Sequence, residues 1–144
     1  MKNVWMLIVL GGTAVSFGAD INANKELVRK FYEGVFVHHE VKATAERYLA
    51  ESYIQHNPHV ATGRQPFIDY FVPYFKKNPT AQAEIKRVIV EGDLVMLHVH
   101  ATGGVADRGR AVVDIFRVDN GKIVEHWDVG QEIPAKAANS NTMF

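Results

Sequence analysis

Hydrophobic positions recur at helical spacing in the first half of the chain and alternate in the second. Leu27, Val28, Phe31, Tyr32 and Val35 follow Asn24, a candidate N-cap, and predict an amphipathic helix over 24–37. Residues 42–50 predict a short second helix. Tyr53 to Asn57 reads as extended, because Pro58 forces its predecessor out of the helical region. Phe67, Ile68, Phe71, Tyr74 and Phe75 give a third helix, over 65–76, an aromatic face, with Pro73 as a kink or break.

Four strands are predicted after that, over 83–90, 94–102, 110–118 and 123–130. Glu91-Gly92-Asp93 and Gly103-Gly104 are turns, and Asp119-Asn120-Gly121-Lys122 is a hairpin connection. Helices followed by an antiparallel meander predict an α+β domain, with three helices packed on one face of a curved antiparallel sheet. The domain is expected to span residues 19–134, and 135–144 reads as a frayed tail.

Alternation assigns the faces. Val112, Asp114, Phe116 and Val118 share one face of the third strand, and Val124, His126 and Asp128 share one face of the fourth. A three-residue Asp119–Gly121 loop pairs Val118 with Lys122, and Asp114 then lies opposite His126 with Asp128 diagonal to it. That register is preferred; a two-residue Asn120-Gly121 turn would put Asp114 beside Trp127. The preferred register gathers the ionisable groups among Val112, Phe116 and Val124, and leaves Val113, Ile115, Ile123, Trp127 and Val129 as an apolar outer face. On the second strand, Val95, Leu97 and Val99 form an all-apolar face expected in the core. Leu94, Met96, His98 and His100 form a mixed face expected to continue the ionisable wall. A half-apolar concave wall with titratable groups is the expected lining of a small-molecule pocket. Its alternative is a face that simply meets water.

Composition narrows the chemistry. Hydrophobic residues make up 47% and charged residues 22%, as in globular domains. Lys+Arg and Asp+Glu are 16 each, so no basic excess serves nucleic acid. The absence of Cys removes disulfides and thiolate chemistry. Ser16, Ser52 and Ser140 sit in no triad context. His98 and His100 invite a two-His-one-carboxylate metal site, but no carboxylate follows at the short spacing such a pair needs, and no metal is expected. His56 is expected either at the pocket mouth or bonded to neighbouring backbone. His38-His39, at a helix C-terminus, is read as structural.

The run Val113-Asp114-Ile115-Phe116-Arg117-Val118-Asp119-Asn120-Gly121-Lys122-Ile123-Val124-Glu125-His126-Trp127-Asp128 resembles the C-terminal hairpin of the SnoaL-like polyketide cyclase family of the NTF2-like superfamily. Tyr53-Ile54-Gln55-His56-Asn57-Pro58 adds to the resemblance, which covers about residues 24–133. It implies a cone-shaped α+β barrel around a pocket, no cofactor, and aldol-type ring closure with a last-strand Asp as general base. Asp128 matches that Asp, and Asp114 stands where the family's assisting His is expected.

Two functions follow. One is a cofactor-free lyase or isomerase acting on a small carbonyl compound. In it Asp128 takes the α-proton, and Asp114, kept protonated beside a second carboxylate, donates to the enolate oxygen. His56, His98, His100, His126, Met96 and Phe116 line the substrate site. The other is a non-catalytic periplasmic protein that binds a small ligand in the same pocket. A homodimer through the face with Val113, Ile115 and Trp127 is expected.

Lys2, the apolar run Val4 to Leu10 and Ser16-Phe17-Gly18 read as a signal peptide over residues 1–18, giving a periplasmic or secreted protein with no membrane anchor after cleavage. The run from Val4 to Phe17 is shorter than the roughly 20 residues a spanning helix needs. N-terminal sequencing of protein from its native host is expected to begin near Ala19. Intact Met1-containing protein in the cytoplasm would refute export.

Overall fold

The computed structural model describes residues 17–144, with side chains from residue 21 onward. The expected signal segment thus lies outside the described residues, apart from its last two positions. The elements are α1 (Phe17–Phe36), α2 (Val41–Tyr48), β1 (Leu49–Gln55), α3 (Arg64–Lys77), β2 (Gln82–Glu91), β3 (Leu94–Thr102), β4 (Arg110–Asp119) and β5 (Lys122–Glu132). Asn24 is inside α1 and does not cap it. Pro73 does not end α3, which runs on to Lys77 with the exposed proline on its outer side. None of the described helices is long and apolar enough to cross a membrane.

The sheet order is β1-β5-β4-β3-β2. Here the expected architecture needs correcting in two respects. The sheet is mixed, because β1 runs parallel to β5. It is also open, because β1 and β2 are its two edges and are not hydrogen-bonded to each other, so no barrel closes. The helices occupy that open side instead: α3 packs on β1, and α1 packs on β2 and β3. Phe31 and Phe67, with ring centroids 5.8 Å apart, sit within this filling, and Phe31 meets Phe116 of the sheet edge-on. The result is an α+β arrangement of three helices over one concave sheet face.

The hairpin register differs from the preferred reading. Asn120 (φ 48°) and Gly121 (φ 72°) make a two-residue turn with Asp119 opposite Lys122. Both central residues have positive φ, as a type I′ turn requires. An irregularity between Arg117 and Val118 then shifts the ladder, and Asp114 pairs with Asp128 and Phe116 with His126. The offset from the preferred register is an even number of residues, so Asp114, His126 and Asp128 still share a face. The irregularity does exchange two neighbours. Ile123 pairs with Val118 and is fully buried, while Val124 is displaced from the face it was expected to share.

The β3 assignment reverses. Val95, Leu97 and Val99 pair with Phe116, Asp114 and Val112, so the all-apolar face of β3 continues the ionisable wall. All three are fully buried beneath the helices. Met96, His98 and His100 pair with Ile115, Val113 and Ala111 on the opposite, outer face. There the Phe144 ring lies 5.4 Å from the His98 ring and 4.7 Å from that of His100.

Gly109 leads the chain into β4 at φ +74°, and a Cβ there would lie 2.2 Å from the Ala101 carbonyl oxygen. Gly109→Ala is therefore expected to destabilise the fold by about 3 kcal/mol, the upper end for overpacking, read as a lowered denaturant midpoint.

Candidate active site

Asp114 sits mid-strand on β4 beneath α1 and is 5% exposed. A buried carboxyl group needs hydrogen-bond partners, and it has one on each oxygen. Tyr32, on α1, donates from Oη to Asp114 Oδ2 at 2.9 Å. His126 Nε2, from β5, lies 3.0 Å from Asp114 Oδ1.

The other ring nitrogen of His126 is fixed by β1. Gln55 Oε1 accepts from the Asn57 backbone N–H at 2.9 Å, which identifies that atom as the amide oxygen. His126 Nδ1 lies 2.8 Å from the same oxygen and must carry hydrogen to bond it. Gln55 Nε2 then donates to Tyr53 Oη at 3.1 Å. The imidazole is thus held between an amide oxygen at Nδ1 and a carboxyl oxygen at Nε2.

Asp128 is half-buried opposite Asp114. Its partner is neutral: Asn57 Nδ2 lies 2.9 Å from Oδ1 and 2.7 Å from Oδ2. The amide orientation is set because Asn57 Oδ1 accepts from the His59 N–H at 2.9 Å. Ligating atoms of Asp114, His126 and Asp128 all lie within 4.8 Å of one another, a spacing a divalent cation can use. Asp114 Oδ1 and His126 Nε2 already bond each other directly at 3.0 Å.

These groups open onto a cavity of about 230 Å³. One wall is polar: Tyr53, Gln55, Asn57, Asp114, His126 and Asp128. The facing wall is aromatic and comes from α1 and α3, with Phe36, Phe71, Tyr74 and Phe75. Burial, then the Asp114 carboxylate, pushes the Tyr32 phenol well above the ordinary tyrosine range. The same two causes, in the same order, raise Tyr53. Both phenols are held neutral, Tyr32 as a donor to Asp114 and Tyr53 as an acceptor from Gln55.

Of the expected site residues, Asp114, Asp128, His126 and Phe116 line this cavity, and four do not. Met96, His98 and His100 are on the outer sheet face, where His98 Nδ1 meets Arg87 and His100 Nε2 meets the Arg108 carbonyl. The H-x-H pair therefore shares no face with Asp114 or Asp128. His56 also turns outward. It stacks on Trp127 at 4.8 Å and bonds Glu125 at 2.9 Å, because it alternates with the inward Gln55. That contact and Arg117 hold the Glu125 carboxyl below its usual range.

A family model described as SnoaL-like polyketide cyclase matches residues 26–139. The chain belongs to that family. Solved structures of NTF2-like relatives share the fold. A SnoaL-like protein of unknown function from Burkholderia thailandensis is 14% identical, with 76% of this chain and 95% of that one covered and a TM-score of 0.65. A Bacillus cereus protein provisionally named a polyketide cyclase is 22% identical, with 75% and 74% covered and a TM-score of 0.63. A Kribbella flavida protein provisionally named a ketosteroid isomerase is 19% identical, with 83% and 86% covered and a TM-score of 0.64. No curated protein matches the chain.

Four residues of this SnoaL-like site were not singled out from the sequence: Tyr32, Tyr53, Gln55 and Asn57. Tyr32 occupies an apolar helix position, where a hydroxyl leaves no mark on the pattern. The other three alternate along one short extended run. A glutamine at the buried phase of that run, between Tyr53 and Asn57, was the available signal.

Stability is expected to fall once pH rises past about 10, the phenol value of an unfolded tyrosine. Tyr32 and Tyr53 are raised in the fold, so they stay protonated while the unfolded chain ionises. Their contribution is intact below that pH and is lost above it, at a rate approaching about 1.4 kcal/mol per pH unit for each. Urea unfolding across alkaline pH measures the slope, and Tyr32→Phe should make it shallower.

Proposed function

We propose that this protein is a cofactor-independent acid–base enzyme that removes a proton α to the carbonyl of a small, largely apolar compound, in the manner of an aldol-type lyase or isomerase. The observation that carries the reading is the unequal treatment of two facing carboxylates. Asp114 has both oxygens engaged, one by the Tyr32 hydroxyl and the other by the His126 ring. Asp128 has one neutral amide and borders the cavity. The carboxylate with spare acceptor capacity is the better base.

In this reading Asp128 takes the α-proton and becomes the carboxylic acid, the electron pair of the C–H bond forms the C=C bond of the enolate, and the carbonyl π pair moves to oxygen. Tyr53 supplies the donor there. Its oxygen accepts from Gln55, which leaves its own hydrogen free for a substrate oxygen. Asp114, expected from the sequence as the protonated donor, instead serves to hold His126 and Tyr32. The proton on Asp128 returns to carbon in an isomerisation, or to the new alkoxide in an aldol closure. The facing aromatic wall binds the apolar body of the substrate and excludes water.

Deuterium incorporation α to the carbonyl of aryl methyl ketones in D₂O, followed by NMR, tests this directly. Asp128→Asn keeps the shape and removes the base, and is expected to slow exchange by about 10²–10⁴-fold, the usual contribution of general acid–base catalysis. Equal exchange by wild type and variant would refute Asp128 as the base.

A further inference from the structure

Arg110 opens β4 on the face that carries Val112 and Asp114, and it borders the cavity although it is exposed. Five other arginines of the fold have partners for their side chains, and Arg108, which does not line the cavity, has none among the described residues. Arg29 and Arg117 are ion-paired, Arg64 and Arg87 hydrogen-bond to Leu49 and His98, and Arg47 lies over the Tyr48 ring. Among the described residues, the Arg110 guanidinium has no carboxylate within ion-pair distance. Glu132, directly across the ladder, is not one.

The stem of Arg110 does not point straight out from its own level. Arg110 pairs with Glu132, Val112 with Gly130 and Asp114 with Asp128, three successive same-face levels. A Cβ on Gly130 would lie 3.8 Å from Arg110 Cδ and 3.7 Å from Val112 Cγ2. The side chain therefore leans inward over Gly130, where the missing side chain leaves room, toward the level of Asp128. Its charge is felt at the Tyr32 phenol, where it opposes the upward push of the carboxylates.

We infer that Arg110 is the anion-recognition group of the pocket, and that the ligand carries a carboxylate at the end remote from the carbonyl that meets Asp128. A planar guanidinium fork matches a carboxylate with two parallel hydrogen bonds. One same-face level of a strand is about 7 Å, so the carboxylate and the reacting carbon sit roughly a benzene ring apart. The aromatic wall accommodates such a spacer. This deepens the reading of the cavity as a site for small carbonyl compounds and names the class.

The test uses 4-acetylbenzoate and its methyl ester as probes, with affinities measured by ligand-observed NMR titration. Wild-type protein is expected to bind the carboxylate at least about tenfold more tightly than the ester, with the preference shrinking as salt rises. Arg110→Gln should abolish the preference and leave ester affinity unchanged, and Arg110→Lys should restore part of it. No preference in wild type, failure of both probes to bind, or a preference that survives in Arg110→Gln would overturn the inference. Binding is read without turnover. A carboxylate preference without α-deuteration would therefore sink the enzymatic reading alone, and α-deuteration without the preference would sink the Arg110 role alone.

Discussion

Burying the carboxyl group of Asp114 is the constraint on which the site depends. A carboxyl group 5% exposed among Leu97, Phe116 and Tyr32 persists only if other elements bring it hydrogen-bond partners. Those partners come from far along the chain: Tyr32 from α1 and His126 from β5. His126 is in turn held by Gln55, which explains the placement of β1. Running parallel beside β5, it sets Gln55 next to His126 in the ladder. Residue 57, just past the strand end, then reaches Asp128. One buried carboxyl group thus ties together a helix, both strands of the last hairpin and an edge strand.

The sheet divides its chemistry by face. Inward lie the two carboxylates, His126 and the Tyr53–Gln55 pair. Outward, Trp127 is stacked on by His56, and Arg117 lies 5.6 Å from its ring centre while bridging Glu125 and Asp93. This exposed ladder fastens the end of β1 to the hairpin, with modest energy for each pair. Gln55 and His56 are adjacent and of similar polarity, yet strand alternation sends one to the site and the other to the surface ladder.

The sequence pattern was informative where periodicity is unambiguous and misleading where one turn or one edge decides. The helices and four of the strands were legible from spacing, and the shared face of Asp114, His126 and Asp128 survived a wrong register because the error was even. The Ile123 and Val124 exchange did not, since an irregularity in one strand inverts the phase locally. His98 and His100 were misplaced because the mixed face of β3 was matched to the ionisable wall by likeness of composition, whereas the pairing with β4 puts the all-apolar face on that side. The parallel β1 edge was invisible, because a seven-residue strand between two helices carries no local sign of its distant partner. With that edge unseen, barrel closure was carried over from the family resemblance, whereas α1 and α3 fill the gap.

The central claim is that Gln55 fixes His126 with hydrogen on Nδ1, so that Nε2 is left facing Asp114. Long-range ¹H–¹⁵N NMR of His126 in the folded protein reads this most directly. The expected result is a slowly exchanging proton on Nδ1 that is lost from the protected set in Gln55→Leu. An Nδ1 without a proton, with the ring anchored through Nε2 alone, would contradict the arrangement from which the roles of Asp114 and Asp128 are drawn.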